Sequence, residues 1–323
     1  MQFQPDTAKR GQMTVTIQPR AQALVDTIRE RIAEAGRMPG LVARHEAIFD
    51  IVPAMKAQID ELLADDALAA DQAMQSLREA FEAFKHDHAI PRLPYSPQID
   101  ARYPYRDELS NPVYIVALRS KQGPNATADS HLAAVQRYID PGLHDRARAD
   151  AYASAMYCRT IGPADLRDAR EHTLIGERGA FAARAIRAGE CLGVYGGRLM
   201  SAAMFFSCVE ESFVLSANSD NAVAFIDGEN ILAMANTSLA YDDEGAPVAQ
   251  ADDDGYNMEA LTFDASSRCG RHFSIRAFFA RREIEPGAEL RWNYRYSPEI
   301  VEHVFGGARR QAQQARANGF CSG

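Results

Sequence analysis

The sequence predicts an α+β protein, with an N-terminal helical domain followed by a β-rich domain. Three observations lead there. Apolar residues recur three and four apart through residues 20–88, the period of a helix. Pro91, Pro94, Pro97, Pro104 and Pro112 then crowd a segment rich in tyrosine, a density that opposes helix and central strand alike. From about residue 171 the texture changes to short apolar runs broken by Gly, Asn and Asp, the pattern of closely spaced strands. A length of 323 residues suits about two such domains.

Residues 1–19 are polar, with Gln and Thr frequent, and lack the apolar stretch of a signal peptide. A disordered tail is expected there, or the export signal of a bacterial injection system. Leu24, Ile28 and Ile32 then mark a first helix, and Ile48, Ile51, Met55, Ile59 and Leu62 a second. Met74, Leu77, Phe81 and Phe84 mark a third. Gly36, Pro39 and Gly40 separate the first two, and Asp65 and Asp66 offer a start for the third. Pro53 is expected to kink or restart the second. A helical bundle over 20–88 is the expectation, and 89–112 reads as a Pro/Tyr-rich linker. The stretch 113–170 reads as mixed α/β: a strand over Val113 to Leu118, and helices over His131–Ile139 and Asp145–Tyr157. The β-rich domain spans 171–298. A C-terminal helix or tail occupies 299–323, with Val301, Val304 and Phe305 on its apolar side.

Charge and composition narrow the function. A net charge of −9 opposes non-specific binding to a nucleic-acid backbone and favours basic partners. Lysine occurs only at Lys9, Lys56, Lys85 and Lys121; with abundant alanine and arginine, this resembles a GC-rich bacterial genome. The five cysteines, Cys158, Cys191, Cys208, Cys269 and Cys321, form no C-x-x-C pair, so neither a zinc site nor a disulfide framework is expected. No apolar run reaches the length of a membrane span. The expected location is the cytoplasm, or a host cell reached without a classical signal peptide.

Three phrases in fixed order carry the chemistry. The first runs from Gly176 through Arg178, Gly179, Ala180 and Phe181 to Glu190, and on to Tyr195, Gly196 and Gly197. The second runs from Phe225 through Ile226, Asp227, Asn230 and Ile231 to Asn236, Thr237 and Ser238. The third is a strand from Ile275 to Ala280, a turn at Arg281–Ile284, then Pro286, Gly287, Glu289 and Leu290, closing on Trp292, Asn293 and Tyr294. Together they resemble a SET domain, the fold of protein lysine methyltransferases that use S-adenosyl-L-methionine. The resemblance covers about residues 171–296.

The resemblance implies a role for each position. Arg178, Gly179, Ala180 and Phe181 fall where the family's glycine-rich turn meets the cofactor's methionine end, although Glu177 stands where the first glycine is expected. Asn236 takes the cofactor-contacting asparagine of the family's Asn-His-Ser, and Thr237 replaces the histidine. A threonine keeps the backbone groups through which part of that contact is made. Tyr294 takes the position of the catalytic tyrosine, which also meets the cofactor, and Tyr195 points a second hydroxyl toward the target amine. Trp292 and Tyr195 wall the lysine channel. A tryptophan there implies a narrow channel and mono- before trimethylation. An acidic insertion, including Asp242, Asp243, Glu244, Asp252, Asp253 and Asp254, is expected to overhang the peptide groove and recruit a basic substrate. The implied enzyme is a protein-lysine N-methyltransferase acting on a basic, lysine-containing protein or peptide. In a bacterial effector that substrate would be a host protein such as a histone, with neither nucleic acid nor membrane as a direct partner. The alternative is a catalytically silent SET-like module that binds a basic peptide.

Overall fold

The computed structural model describes residues 19–121 and 129–306. The expected N-terminal tail, Pro19 apart, lies outside the described residues, as do Cys321 and the polar stretch Arg309–Asn318. The chain is α plus β and divides into two compact units: residues up to Ile90 together with Phe206–Val209, and the remainder.

The first unit holds three helices, α1 (Pro19–Arg37), α2 (Leu41–Leu62) and α3 (Ala67–Asp87). Its core takes Ile28, Ile48, Met55, Ile59, Leu77 and Phe84 from the apolar stripes, all buried. Asp66 caps α3 by accepting a hydrogen bond from the Ala69 N–H at 3.1 Å. Two details differ from the sequence reading. The helix α2 runs unbroken through Pro53. Leu62 is 40% exposed and Leu63 is buried in its place, because the stripe steps by four from Met55 to Ile59 to Leu63. The segment Phe206–Val209 adds Phe206, which stacks on Phe81 at 5.0 Å and meets Phe49 edge-on at 5.3 Å.

The second unit begins with α4 (Pro97–Ala101), β1 (Tyr105–Arg106), β2 (Ile115–Ser120), α5 (Leu132–Ile139), α6 (Asp145–Ala153) and β3 (Met156–Thr160). It continues with β4 (Arg178–Ala182), β5 (Cys191–Val194), β6 (Gly197–Ser201), α7 (Ala202–Phe206), β7 (Val214–Ser216) and β8 (Ala224–Gly228). The last elements are β9 (Leu239–Tyr241), β10 (Pro247–Gln250), β11 (Met258–Ser267), β12 (His272–Ala280) and α8 (Pro298–Phe305). Two four-stranded sheets, ordered β1-β6-β8-β7 and β2-β11-β12-β5, flank the core, and β3-β4 and β9-β10 form two-stranded ribbons.

Three expectations are corrected here. The segment 89–112 is no free linker: Tyr95 and Tyr105 are buried in the core, and the Tyr95 hydroxyl donates to Asp100 at 2.9 Å. Its aromatic residues outweigh its prolines, because burying each ring removes a large apolar area from water. The helix expected to reach Tyr157 stops at Ala153, and Met156–Thr160 pairs instead with β4. The acidic insertion contains an antiparallel hairpin, β9–β10. Among the described residues, no helix is long and apolar enough to cross a membrane.

Candidate functional site

The second and third phrases run side by side. Asn236 bridges Arg291 in parallel register, and the Trp292 N–H donates to the Asn236 carbonyl at 3.1 Å. The Tyr294 hydroxyl donates to the Ala235 carbonyl at 2.9 Å. These bonds bring Asn236, Thr237 and Tyr294 to one cleft of about 540 Å³. Its other walls come from the segment Arg170–Leu174, from β9 and the hairpin turn (Leu239, Tyr241, Glu244–Pro247), and from the end of α8 (Val304, Phe305). The mixture is apolar with a few convergent polar groups, the usual make-up of a small-molecule site.

A buried ion cluster fixes the crossing. Glu289 and Arg291 are two apart on an extended segment, so their side chains share a face. The Arg291 guanidinium is fully buried. It binds Glu289 through Nε at 2.8 Å and Nη2 at 2.6 Å, and clasps Glu171 with both terminal nitrogens, one at 3.0 Å. Burial alone would lower its pKa, but the two carboxylates outweigh that and hold it above the usual arginine range. The free oxygen of Glu289 accepts from the Asn236 amide at 2.9 Å, which orients that side chain. The Asn257 amide donates to the Glu289 carbonyl at 2.8 Å and its Oδ1 accepts the Arg291 N–H at 2.8 Å. None of Glu171, Glu289 or Arg291 was singled out as a site residue. The alternation Glu289-Leu290-Arg291 was the available signal.

The other sequence candidates lie off the cleft. Arg178, Gly179, Ala180 and Phe181 form β4, paired with β3, rather than a turn. The turn falls earlier, at Gly176, whose φ is 93°. Arg178 bonds the Tyr95 carbonyl at 3.0 Å, and its own carbonyl is 3.4 Å from the Asn236 amide. Gly179 has a packing reason: a Cβ there would lie 3.0 Å from the Phe181 ring and 3.2 Å from Glu289 Oε1. Phe181 is buried beneath the Arg159 guanidinium, 3.7 Å from its ring centre. Tyr195 is buried and donates to the Phe213 carbonyl at 2.7 Å. It fits only because Gly228 has no Cβ, which would sit 2.2 Å from its hydroxyl.

Rings nonetheless link Tyr195 to the cleft. Tyr195, Phe278, Trp292, Tyr294, Tyr296 and Phe305 follow one another with centroid spacings of 6.3, 4.9, 4.7, 5.5 and 6.3 Å. Trp292 stands at the middle of this file, behind Tyr294, and its buried indole Nε1 has no hydrogen-bond partner among the described residues. Desolvation pushes the hydroxyls of Tyr294 and Tyr195 well above the usual phenol range, so both stay protonated at neutral pH.

The acidic insertion splits in two. Glu244 lines the cleft. Asp253, by contrast, pairs with Arg281 at 3.2 Å, and the Asp254 carbonyl accepts from Arg282 at 2.8 Å. The Asp253 charge is therefore partly offset by Arg281.

No family model matches the chain, and no curated protein matches it. Among solved structures it is similar to ctPRC2 in an autoinhibited conformation bound to S-adenosylmethionine, at 17% identity and a TM-score of 0.31 over 51% of this chain. It is also similar to a humanized mutant of the Chaetomium thermophilum Polycomb Repressive Complex 2 bound to the inhibitor GSK343, at 18% identity and a TM-score of 0.31 over 46% of this chain. A third is KRYPTONITE in complex with mCHH DNA, H3(1-15) peptide and SAH, at 17% identity and a TM-score of 0.26 over 37% of this chain. The matches span 18%, 16% and 21% of those chains, so the functional reading rests on the cleft itself.

Proposed function

We propose that the second unit is a SET-like, S-adenosyl-L-methionine-dependent protein-lysine N-methyltransferase, with a basic lysine-containing protein or peptide as substrate. One observation carries the reading: Asn236, Thr237 and Tyr294, which the sequence resemblance ties to the cofactor, converge on a single cleft. The residues present fit the group. A volume of about 540 Å³ lies within the range of small-molecule sites. Leu174, Leu239, Pro247 and Phe305 offer apolar surface, and Asn236, Thr237 and Tyr294 offer polar contacts.

The cofactor would supply an electrophilic methyl group on a sulfonium. The protein's task is to present a neutral amine in line with it, although a free lysine has a pKa near 10.4. Desolvation against the Tyr294 ring and the apolar walls of the cleft disfavours the ammonium form. Alignment of the reacting atoms is the larger contribution. Tyr294 is held by Ala235 and stays protonated, so it orients and stabilises rather than acting as a base.

The test is methyl transfer from labelled S-adenosylmethionine to lysine-rich protein acceptors, read as label on lysine. The Tyr294→Phe variant is expected to lose about 100-fold or more in turnover, the scale for removing one aimed hydroxyl, with a smaller loss of cofactor affinity. Cofactor binding without transfer to any acceptor would favour the silent module.

A further inference from the structure

The hairpin β9–β10 departs from the family pattern that residues 171–296 otherwise resemble; part of it walls the cleft, and one polar side chain ties it to Thr237 and the Tyr294–Arg295 turn. Gln250, the last residue of β10, reaches two segments at once. Its Nε2 donates to the Thr237 hydroxyl at 2.9 Å, and its Oε1 stands 3.3 Å from that hydroxyl and accepts the Arg295 N–H at 3.1 Å. Thr237 is buried and lines the cleft. Arg295 follows Tyr294 directly and has a φ of 59°, a left-handed conformation that is costly for a residue with a side chain. The Arg295 N–H also meets Asn293 Oδ1 at 2.7 Å, so the turn is held from both sides.

We propose that Gln250 is a positioning residue of the cleft, fixing Thr237 and the Tyr294–Arg295 turn in their mutual geometry. The inference rests on the cofactor reading above. It gives the insertion a purpose: the hairpin supplies a side-chain clamp at the site where threonine stands in place of the family's histidine. Gln250 does not line the cleft itself. Its effect passes through the threonine hydroxyl and through the backbone that carries Tyr294.

Two variants test it. Gln250→Met keeps the length and removes both polar groups. Gln250→Glu keeps acceptors for the Thr237 hydroxyl and the Arg295 N–H. Titration calorimetry with S-adenosylhomocysteine is expected to show affinity about tenfold weaker for Gln250→Met, the cost of leaving buried polar groups unpaired, and within about threefold of wild type for Gln250→Glu. Hydrogen exchange at the Arg295 amide gives a second readout independent of any ligand: faster in Gln250→Met, restored in Gln250→Glu. Wild-type affinity or unchanged exchange in Gln250→Met would overturn the proposal. Equal weakening in both variants with a matching fall in melting temperature would overturn it too, as a purely structural effect. Wild-type protein that binds no cofactor while Arg295 exchange follows the pattern above would sink the functional reading and leave the clamp standing.

Discussion

Single residues show how burial sets behaviour here. Asp100 is buried, and desolvation pushes its carboxyl up to about 6 from 3.8, against the bonds it accepts from the Ile231 N–H and the Tyr95 hydroxyl. The folded state therefore holds this proton more tightly than the unfolded chain does. The resulting stabilisation is complete below pH 3.8 and is lost as pH rises through about 6. Asp165 and Asp168 act with the opposite sign. Hydrogen bonds from Arg159 and Arg170 hold them near 2, so their contribution fades only as pH falls below 3.8. Melting temperature is expected to fall between pH 4 and 7, and Asp100→Asn to flatten that fall. An unchanged slope in the variant would show that Asp100 is ionised at little cost. Asn236, Thr237 and Tyr294 stand out in the sequence because the phrases around them are specific, and the fold brings all three to one cleft. Tyr195 lies off that cleft with its hydroxyl on the Phe213 carbonyl, a partner that a Tyr-Gly-Gly turn does not reveal.

Elements were legible where burial imposes a period. The helical stripes gave much of the core of α1 to α3; Ile51, Met74 and Phe81 are only partly buried at its edge, Leu63 replaces Leu62, and small residues such as Ala21, Ala35 and Ala73 fill positions the stripes did not mark. The hairpin β9–β10 was hidden because its sequence is dominated by acids and small residues, and its pairing is backbone-made. The ion cluster beneath the crossing was hidden for a different reason. Arginine and glutamate normally read as surface, and only the fold brings Glu171 to Arg291. With its hydrogen bonds to Asn236 and Asn257 that cluster joins four segments, so breaking it should be severe. Arg291→Met would leave two buried carboxylates facing each other, at a cost of about 3–5 kcal/mol. Chemical denaturation followed in the second unit would read this as a large fall in midpoint, and a fall below about 1 kcal/mol would mean that water or rearrangement relieves the pair.

At the scale of the whole molecule, the two units have separate cores. The lining of the cleft runs from Arg170 to Gly306, within the second unit. The resemblance identified the order of the phrases, and the fold turns that order into a site by passing residues 234–238 beside residues 289–294. Arg178 to Phe181 show what order alone does not determine: they form a strand where a turn is expected, and they back Asn236 rather than line the cleft. The central claim is that the cleft holds S-adenosyl-L-methionine. Titration calorimetry of S-adenosylmethionine and S-adenosylhomocysteine into wild type and Asn236→Ala tests it most directly. The account predicts binding of both ligands by wild type, about tenfold weaker in the variant, which loses an amide held toward the cleft by Glu289. Absence of binding by wild type at saturating ligand, or equal affinity in the two proteins, would contradict it.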